Sequence, residues 1–305
     1  MDSLISVIVP FQKETEELQT CLTAIEAQTF TNFEVLLVPD GASKEAMQVA
    51  QGFVGNRYTL LDNGEAQGQS EARQRAIGVA KGEYIAIQDA DDISLSHRLE
   101  KQVAEFKADQ NLDVLGSAAK IIGEKYNWEV YQKHDQIVQQ ALFNNPMIHS
   151  SVIMRREVFE KLSYNSTFDT TEDYDLFSLA LRHFRFKNLS EPLISYKLPA
   201  QNKSSLLDQR MKARIIRERN NQWVPEHLMH AFHHFCELNN SIMFDELSGL
   251  KKVFKGTEVE SVFNDQLLRY ALKHKPRWSV FQKQKIWQKS ILMRKASVLK
   301  SLLLS

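Results

Sequence analysis

The sequence predicts an α/β protein with a mostly parallel central sheet flanked by helices, followed by a helical C-terminal region. Short apolar segments rich in β-branched residues alternate with segments of helical periodicity over the first 90 residues. Turn signals, many containing Gly or Pro, separate these segments. Beyond Ser205 strand-like runs become rare and the apolar residues follow helical spacing.

Strands alternate with helices in the first half of the chain. Pro10 is expected to end the first strand. Ser43 is expected to cap a helix that runs to about Phe53, and Gly82 to stop a helix that carries alanines four residues apart. The predicted strands cover residues 4–9, 33–38, 58–61 and 84–87.

The pattern from residue 110 to 200 is more mixed. Strands or extended segments are predicted over 114–122, 151–154, 184–189 and 193–197, with helices over 157–162 and 174–183. The polar stretch from Gln201 to Ser205 has turn character. We therefore predict one domain over 1–205 and a separate helical region over 206–305.

Composition excludes several classes of protein. With 305 residues and 43% hydrophobic residues, the chain can bury a large core and is not a disordered protein. The 38 basic and 38 acidic residues balance, so no nucleic-acid partner is expected. The two distant cysteines suggest reduced thiols and a cytoplasmic protein, and no signal peptide or membrane span is expected.

The balanced charge hides a basic tail. Ten Lys or Arg residues and no acids follow Asp265, which leaves 28 basic and 38 acidic residues before that point. The tail interleaves these charges with Trp278, Phe281 and Trp287. An amphipathic basic helix can lie on an anionic membrane, which would make the protein peripheral at the cytoplasmic face. The same pattern suits packing against the first domain, or a homodimer face.

Asp89-Ala-Asp91-Asp92 is the strongest local signal. Three carboxylates in four residues repel one another unless a cation lies between them. Mn²⁺ or Mg²⁺ prefers such oxygens and is commonly held by one or two carboxylates plus a diphosphate. An acidic turn that caps the next helix is the plainer reading. The position directly after an apolar strand favours the metal site, because ligands collect at the carboxyl ends of parallel strands.

Four other residues have both a structural and a functional reading. Glu172 and Asp173 suit the dipole at a helix N-terminus, but a carboxylate in a cleft can also act as a general base. Arg73 could pair with a neighbouring acid or bind a phosphate or a base edge. Asp40 is a turn former after a strand, or a hydrogen-bonding partner for a nucleotide.

Taken together, these segments resemble the family 2 glycosyltransferases, which have the GT-A fold with its Rossmann-like sheet. The likeness covers about residues 3–200 and consists of ordered motifs. Here the first of the family's usual pair of acids before the turn is replaced by Pro39, and Asp40 is kept. The matching segments are Ile5-Ser-Val-Ile-Val-Pro10, Val38-Pro-Asp-Gly-Ala-Ser43, Ala72-Arg73, Ala80-Lys-Gly-Glu-Tyr-Ile85, Asp89-Ala-Asp-Asp92 and Thr171-Glu-Asp-Tyr-Asp-Leu176.

The resemblance implies an inverting, metal-dependent transfer of a sugar from a nucleotide-diphosphate sugar, with UDP as the expected nucleotide. The expected acceptor is a hydroxyl of a glycan or lipid-linked molecule, as in cell-surface polysaccharide synthesis. By the family pattern Asp173 is the base, Asp91 a metal ligand, and Asp89 a second metal or ribose contact. The implied donor-binding residues are Pro10, Phe11, Asp40, Arg73, Asp89 and Glu172.

Two alternative functions remain open at the level of sequence. A nucleotidyltransferase also uses acids and a metal, but it is expected to have a Gly-rich basic loop after its first strand. Phe11-Gln-Lys-Glu-Thr15 is not such a loop. A non-catalytic glycan- or partner-binding protein has no need of the metal and base acids, and their retention favours an enzyme.

Overall fold

The structure is a computed structural model that describes residues 4–62, 65–198, 203–237 and 244–273. The chain divides into two compact units, one up to Arg219 and one from Asn220 onward. The sequence-based boundary at residue 205 lies near the start of a helix, Lys203–Asn220, which belongs to the first unit except for its last residue.

The first unit contains one mixed sheet. Its order is β3-β2-β1-β4-β8-β6-β9-β5, with β7 paired to β6. Strands β3, β2, β1 and β4 are parallel, so four strand ends meet at one edge. The strands are β1 Ile5–Phe11, β2 Phe33–Pro39, β3 Tyr58–Leu60, β4 Tyr84–Ile87, β5 Ile93–Ser94, β6 Val114–Ile121, β7 Asn127–Trp128, β8 Ile153–Arg155 and β9 Phe186–Tyr196.

Helices cover both faces of this sheet, because its central strands are apolar on both sides. Residues of α1, α2 and α4 pack on one face with Val7 and Val9, and residues of α3 and α7 pack on the other with Ile8. The helices are α1 Glu16–Glu26, α2 Lys44–Phe53, α3 Gln69–Val79, α4 Arg98–Ala108, α5 His134–Gln140, α6 Glu157–Lys161, α7 Glu172–Ala180 and α8 Lys203–Asn220.

The predicted fold class is confirmed, with differences in detail. The side chain of Ser43 accepts the Ala46 N–H and caps α2 as expected. Pro10 does not end β1, which continues to Phe11. Pairing with β4 ends at Ile8, so the missing N–H of Pro10 breaks no bond of the ladder on that side. The two extended segments predicted around Pro192 form one strand, β9, with an irregular register against β6.

The second unit is helical where the structure describes it. Its helices are α9 Glu226–Cys236, α10 Phe244–Phe254 and α11 Glu260–Lys273. Phe263 packs its ring against Phe254 and Phe235, with centroids 4.8 and 5.0 Å apart. These rings pack among the unit's other buried apolar residues, such as Phe232 and Leu250.

The basic tail predicted to contact a membrane falls mainly on residues 274–305, which lie outside the described residues. Among the helices that are described, none has the length and apolar character needed to cross a bilayer.

Candidate active site

The ends of β1, β2 and β4 surround a cavity of about 200 Å³. This is the sheet edge where a parallel α/β fold gathers its ligand-binding groups. Six residues predicted from the sequence line the cavity: Pro10, Phe11, Asp40, Arg73, Asp89 and Asp91. The other two predicted residues, Glu172 and Asp173, begin α7 and are connected to the cavity through Arg73.

Asp40 holds the loop that leads into α3. Its side chain is buried, and Oδ1 accepts the backbone N–H groups of Gln67 and Gly68 at 2.7 and 2.9 Å. Its other oxygen, Oδ2, accepts the side-chain amide of Gln12 at 2.9 Å. Gly68 has φ +92°, and a Cβ there would lie 2.2 Å from Asp169 Oδ2, so the loop requires glycine at this position.

Arg73 is a buried cation shared by two carboxylates. Its Nη2 lies 2.8 Å from Asp89 Oδ1, and its Nη1 lies 2.6 Å from Glu172 Oε1. Burial lowers the pKa of Arg73, but the charges of Asp89 and Glu172 more than offset this and hold it above its usual range. The guanidinium therefore ties the end of β4 to the start of α7.

Of the three acids after β4, only Asp89 forms an ion pair with a described residue. Burial raises the pKa of Asp89, but the charge of Arg73 outweighs this and holds it below its usual range. Burial and the charge of Asp89 raise the pKa of Asp91, and they raise that of Asp92 to about 8. Asp91 forms no ion pair with any described residue, and the buried Oδ2 of Asp92 has no hydrogen-bond partner.

These carboxylates fit a hard divalent cation that takes its other ligands from a substrate. Within the described ranges, no group of three His, Cys, Asp or Glu side chains has the arrangement of a metal site. Asp89 and Asp91 offer at most two protein ligands. That number matches Mg²⁺-type sites, where one or two carboxylates and substrate phosphates hold the ion.

Arg98 holds the residues that flank this acidic loop. It is fully buried, and its guanidinium donates to Gln88 Oε1, Ser94 Oγ and the Ile87 carbonyl at 2.8, 2.9 and 2.9 Å. The fixed fork of the guanidinium can hold several acceptors at once. Arg98 thereby fixes the backbone on both sides of Asp89-Ala-Asp91-Asp92.

Asp173 is the second residue of α7. Its Oδ2 accepts the side-chain amide of Asn145 at 2.5 Å, and its Oδ1 accepts the Tyr174 N–H at 2.7 Å. Burial and the charge of Glu172 raise the pKa of Asp173 to about 7. A carboxylate with that pKa can exchange a proton with a substrate near neutral pH.

A buried histidine lies behind these acids. His149 Nε2 lies 2.8 Å from the hydroxyl oxygen of Tyr164, whose ring centroid is 5.8 Å from the Arg73 guanidinium. Burial and the charge of Arg73 lower the pKa of His149 to about 3. The imidazole is therefore neutral near physiological pH, and it serves the packing around Arg73.

Sequence reasoning missed several groups of the site. Tyr196 and Lys197 line the cavity and stand at the end of β9, so the strand-end rule that selected Asp40 could have selected them. The Lys197 N–H donates to Asp92 Oδ1 at 2.7 Å. Asn145 lies in an irregular segment and His149 begins a short 3-10 helix, and no local signal marked the contact of Asn145 with Asp173 or of His149 with Tyr164.

Parallel strands whose ends bring clustered acids to a cavity are the arrangement of an α/β enzyme that binds its ligand at the strand ends. The comparisons identify the family. The chain belongs to glycosyl transferase family 2, whose sequence model matches residues 6–163. The fold expected from the sequence resemblance, and the enzyme class with it, are therefore confirmed.

Two curated relatives are similar over most of the chain. The O-antigen biosynthesis glycosyltransferase WbnJ of Escherichia coli is 28% identical over 249 residues, or 77% of this chain and 96% of the relative. The UDP-Glc:alpha-D-GlcNAc-diphosphoundecaprenol beta-1,3-glucosyltransferase WfgD of Escherichia coli is 27% identical over 182 residues, or 59% of this chain and 71% of the relative.

Two solved structures share the fold at low sequence identity. Residues 1–349 of TarS from S. aureus, in complex with UDP-GlcNAc, give a TM-score of 0.57 at 16% identity over 86% of this chain and 83% of that one. The mannosyltransferase PcManGT from Pyrobaculum calidifontis, in complex with GDP-Man and Mn²⁺, gives a TM-score of 0.56 at 13% identity. The match covers 97% of this chain and 82% of that one.

Proposed function

We propose that this chain transfers a sugar, with inversion, from a UDP-sugar to a hydroxyl of a glycan or lipid-linked acceptor during polysaccharide synthesis. The observation that carries the proposal is the Arg73 bridge. It connects Asp89, beside the cavity, to Glu172, which directly precedes Asp173. One buried side chain thus fixes the acids suited to a leaving diphosphate relative to the acid suited to be the base.

The proposed roles follow from the chemistry of the reaction. Asp173 accepts the proton of the acceptor hydroxyl. At the same time the oxygen of that hydroxyl bonds to the anomeric carbon from the face opposite the diphosphate. The bond between that carbon and the diphosphate oxygen breaks in the same step. Asn145 and the Tyr174 N–H hold the Asp173 carboxylate in a defined orientation. Asp40, Pro10 and Phe11 bind the nucleotide at the ends of β1 and β2.

Asp91 and Asp89 would hold Mn²⁺ or Mg²⁺. When bound, such an ion offsets the charge that develops on a leaving diphosphate. The carboxylate of Asp91 forms no ion pair with a described residue, and the Oδ2 of Asp92 has no hydrogen-bond partner. Both observations support this assignment, because a bound cation would supply the missing interaction. The Mn²⁺ in the PcManGT structure is consistent with it.

The relatives support the choice of donor and acceptor. WfgD is named for a UDP-Glc donor and a diphosphoundecaprenol acceptor, and the TarS fragment is in complex with UDP-GlcNAc. PcManGT is in complex with GDP-Man, so UDP and GDP sugars are the two donors to compare. A thermal-shift panel of UDP- and GDP-sugars, each with Mn²⁺, Mg²⁺ or EDTA, tests the donor because selective binding raises the melting temperature.

Removal of the Asp91 carboxylate is expected to weaken metal-dependent donor binding. Asp91→Asn keeps the shape of the side chain but removes its charge, so calorimetry with UDP-sugar and Mn²⁺ should give at least about a tenfold weaker Kd. Glu45→Gln removes one charge from the exposed surface of α2 and is the matched control. Unchanged Mn²⁺-dependent affinity in Asp91→Asn would exclude Asp91 as a ligand.

Peripheral contact of the tail with the cytoplasmic face of a membrane is part of the proposal. A lipid-linked acceptor would place the reaction there, and ten basic residues after Asp265 would favour anionic lipid. We expect deletion of residues 276–305 to reduce co-sedimentation with anionic phospholipid vesicles and to spare nucleotide binding. Equal co-sedimentation of the full and the shortened chain would exclude membrane contact by the tail and favour its packing against the first domain or at a dimer face.

A further inference from the structure

The turn between β6 and β7 exposes large apolar side chains close to the active site. Ile122, Tyr126 and Trp128 are 45%, 60% and 43% exposed. Trp128 lies across from Ala119 of β6, and its ring meets that of Tyr196 edge-on, with centroids 5.8 Å apart and planes at 88°. The two rings therefore form an open aromatic corner.

Tyr196 connects this corner to the cavity. It ends β9 opposite Ile121, packs against Ala119 and Ile194, and lines the cavity beside Asp91. Tyr196 thus lines the same cavity as Asp89, Asp91 and Asp92, the acids that follow β4.

The chemistry of the corner suits a sugar ring. A pyranose presents C–H groups on its faces and hydroxyls around its edge, so it can pack on an aromatic ring while its hydroxyls stay in water. Trp128 offers an exposed ring of this kind, and Tyr196 meets it edge-on where it joins the cavity.

The charge of the turn favours a neutral saccharide over an anionic lipid surface as its ligand. The exposed charged residues of the turn are Lys120, Lys125, Glu124 and Glu129, two of each sign. Contact with anionic lipid depends on an excess of Lys and Arg, which this turn lacks. A neutral, hydroxyl-rich ligand meets no such requirement.

We propose that Trp128 and Tyr196 form a subsite that binds a pyranose ring of the acceptor glycan next to the donor cavity. The inference rests on the proposed glycosyl transfer and names where the acceptor is recognised. Trp128 acts in binding, since its ring is one side chain removed from the cavity, and the Asp173 carboxylate remains the group that accepts the proton.

The test measures saccharide binding apart from transfer. Saturation-transfer difference NMR of the full chain, with UDP and Mn²⁺ present, uses cellobiose, maltose and N,N′-diacetylchitobiose as probes. Trp128→Ala is expected to weaken the affinity for the bound disaccharide about tenfold, and Trp128→Phe to retain most of it. Tyr126→Ala is the matched control, because it removes an exposed ring from the same turn and leaves the corner intact. Thermal stabilisation by UDP and Mn²⁺ should be equal in all four proteins.

The outcomes distinguish the subsite from its alternatives. Equal saccharide affinity in Trp128→Ala and the unmodified chain would overturn the subsite, as would the absence of saccharide binding in the unmodified chain. Vesicle co-sedimentation that falls in Trp128→Ala, without saccharide binding, would assign the turn to a lipid surface. If UDP fails to stabilise the unmodified chain, the proposed donor is wrong. The saccharide signals still decide the subsite in that case.

Discussion

Replacing Asp173 by Asn is expected to stop sugar transfer and leave donor binding intact. The amide keeps the size of the side chain but cannot accept a proton, so turnover should fall by a factor of about 10²–10⁴. Release of UDP in the presence of acceptor measures transfer, and calorimetry with UDP-sugar measures donor affinity. Asp135→Asn is a matched control, since Asp135 is an exposed second residue of α5, as Asp173 is the second residue of α7.

The pH dependence gives this prediction a second readout. The base works only when deprotonated, and the pKa of Asp173 is raised to about 7. Turnover should therefore be low below that pH, rise through it and level off above it. The Asn variant should have no such limb. Turnover equal to that of the unmodified chain in Asp173→Asn would remove Asp173 as the base.

Replacing Arg73 by Met is expected to have the largest effect on stability. It leaves the buried Glu172 carboxylate and the partly buried Asp89 carboxylate without their shared cation. Breaking a buried ion pair by removing one partner typically costs about 3–5 kcal/mol of unfolding free energy. Urea unfolding followed by circular dichroism measures the loss.

Two further variants show whether charge is the cause. Arg75→Met, on the same helix, removes only hydrogen bonds to the Pro39 and Leu61 carbonyls and should cost about 1 kcal/mol. Adding Glu172→Gln to Arg73→Met should restore part of the lost stability, because it removes one of the unpaired charges. If Arg73→Met and Arg75→Met cost the same, the bridge has no special role in stability.

The sequence predicted the part of the site that depends on strand ends. Asp40 and Asp89 follow apolar strands, and the parallel sheet brings them to one edge, as periodicity alone implied. The pairing of Arg73 with both Asp89 and Glu172 could not be predicted, since Glu172 lies 99 residues away in sequence. The local sequence around Arg73 was equally compatible with a phosphate contact.

Other groups of the site depend on tertiary packing without a periodic signal. Asn145 reaches Asp173 from an irregular segment, so neither helical nor strand spacing marks it. Two separate extended segments were predicted over 184–189 and 193–197, yet they form one strand that pairs with β6 through an irregular register. The length of β9, and with it the position of Tyr196 at the cavity, follows from that pairing.

Helix α8 determines how short a catalytic fragment can be. Lys212 donates to the Asp169 carbonyl at 2.8 Å, and Arg219 pairs with Asp175 at 2.6 Å. These contacts hold the segment that carries Asp173 from both sides, and that segment includes Thr170 with a left-handed φ of 81°. A fragment cut at residue 205 would lose both anchors. We therefore expect a fragment that keeps the segment around Asp173 in place to extend through Arg219, where the first compact unit ends.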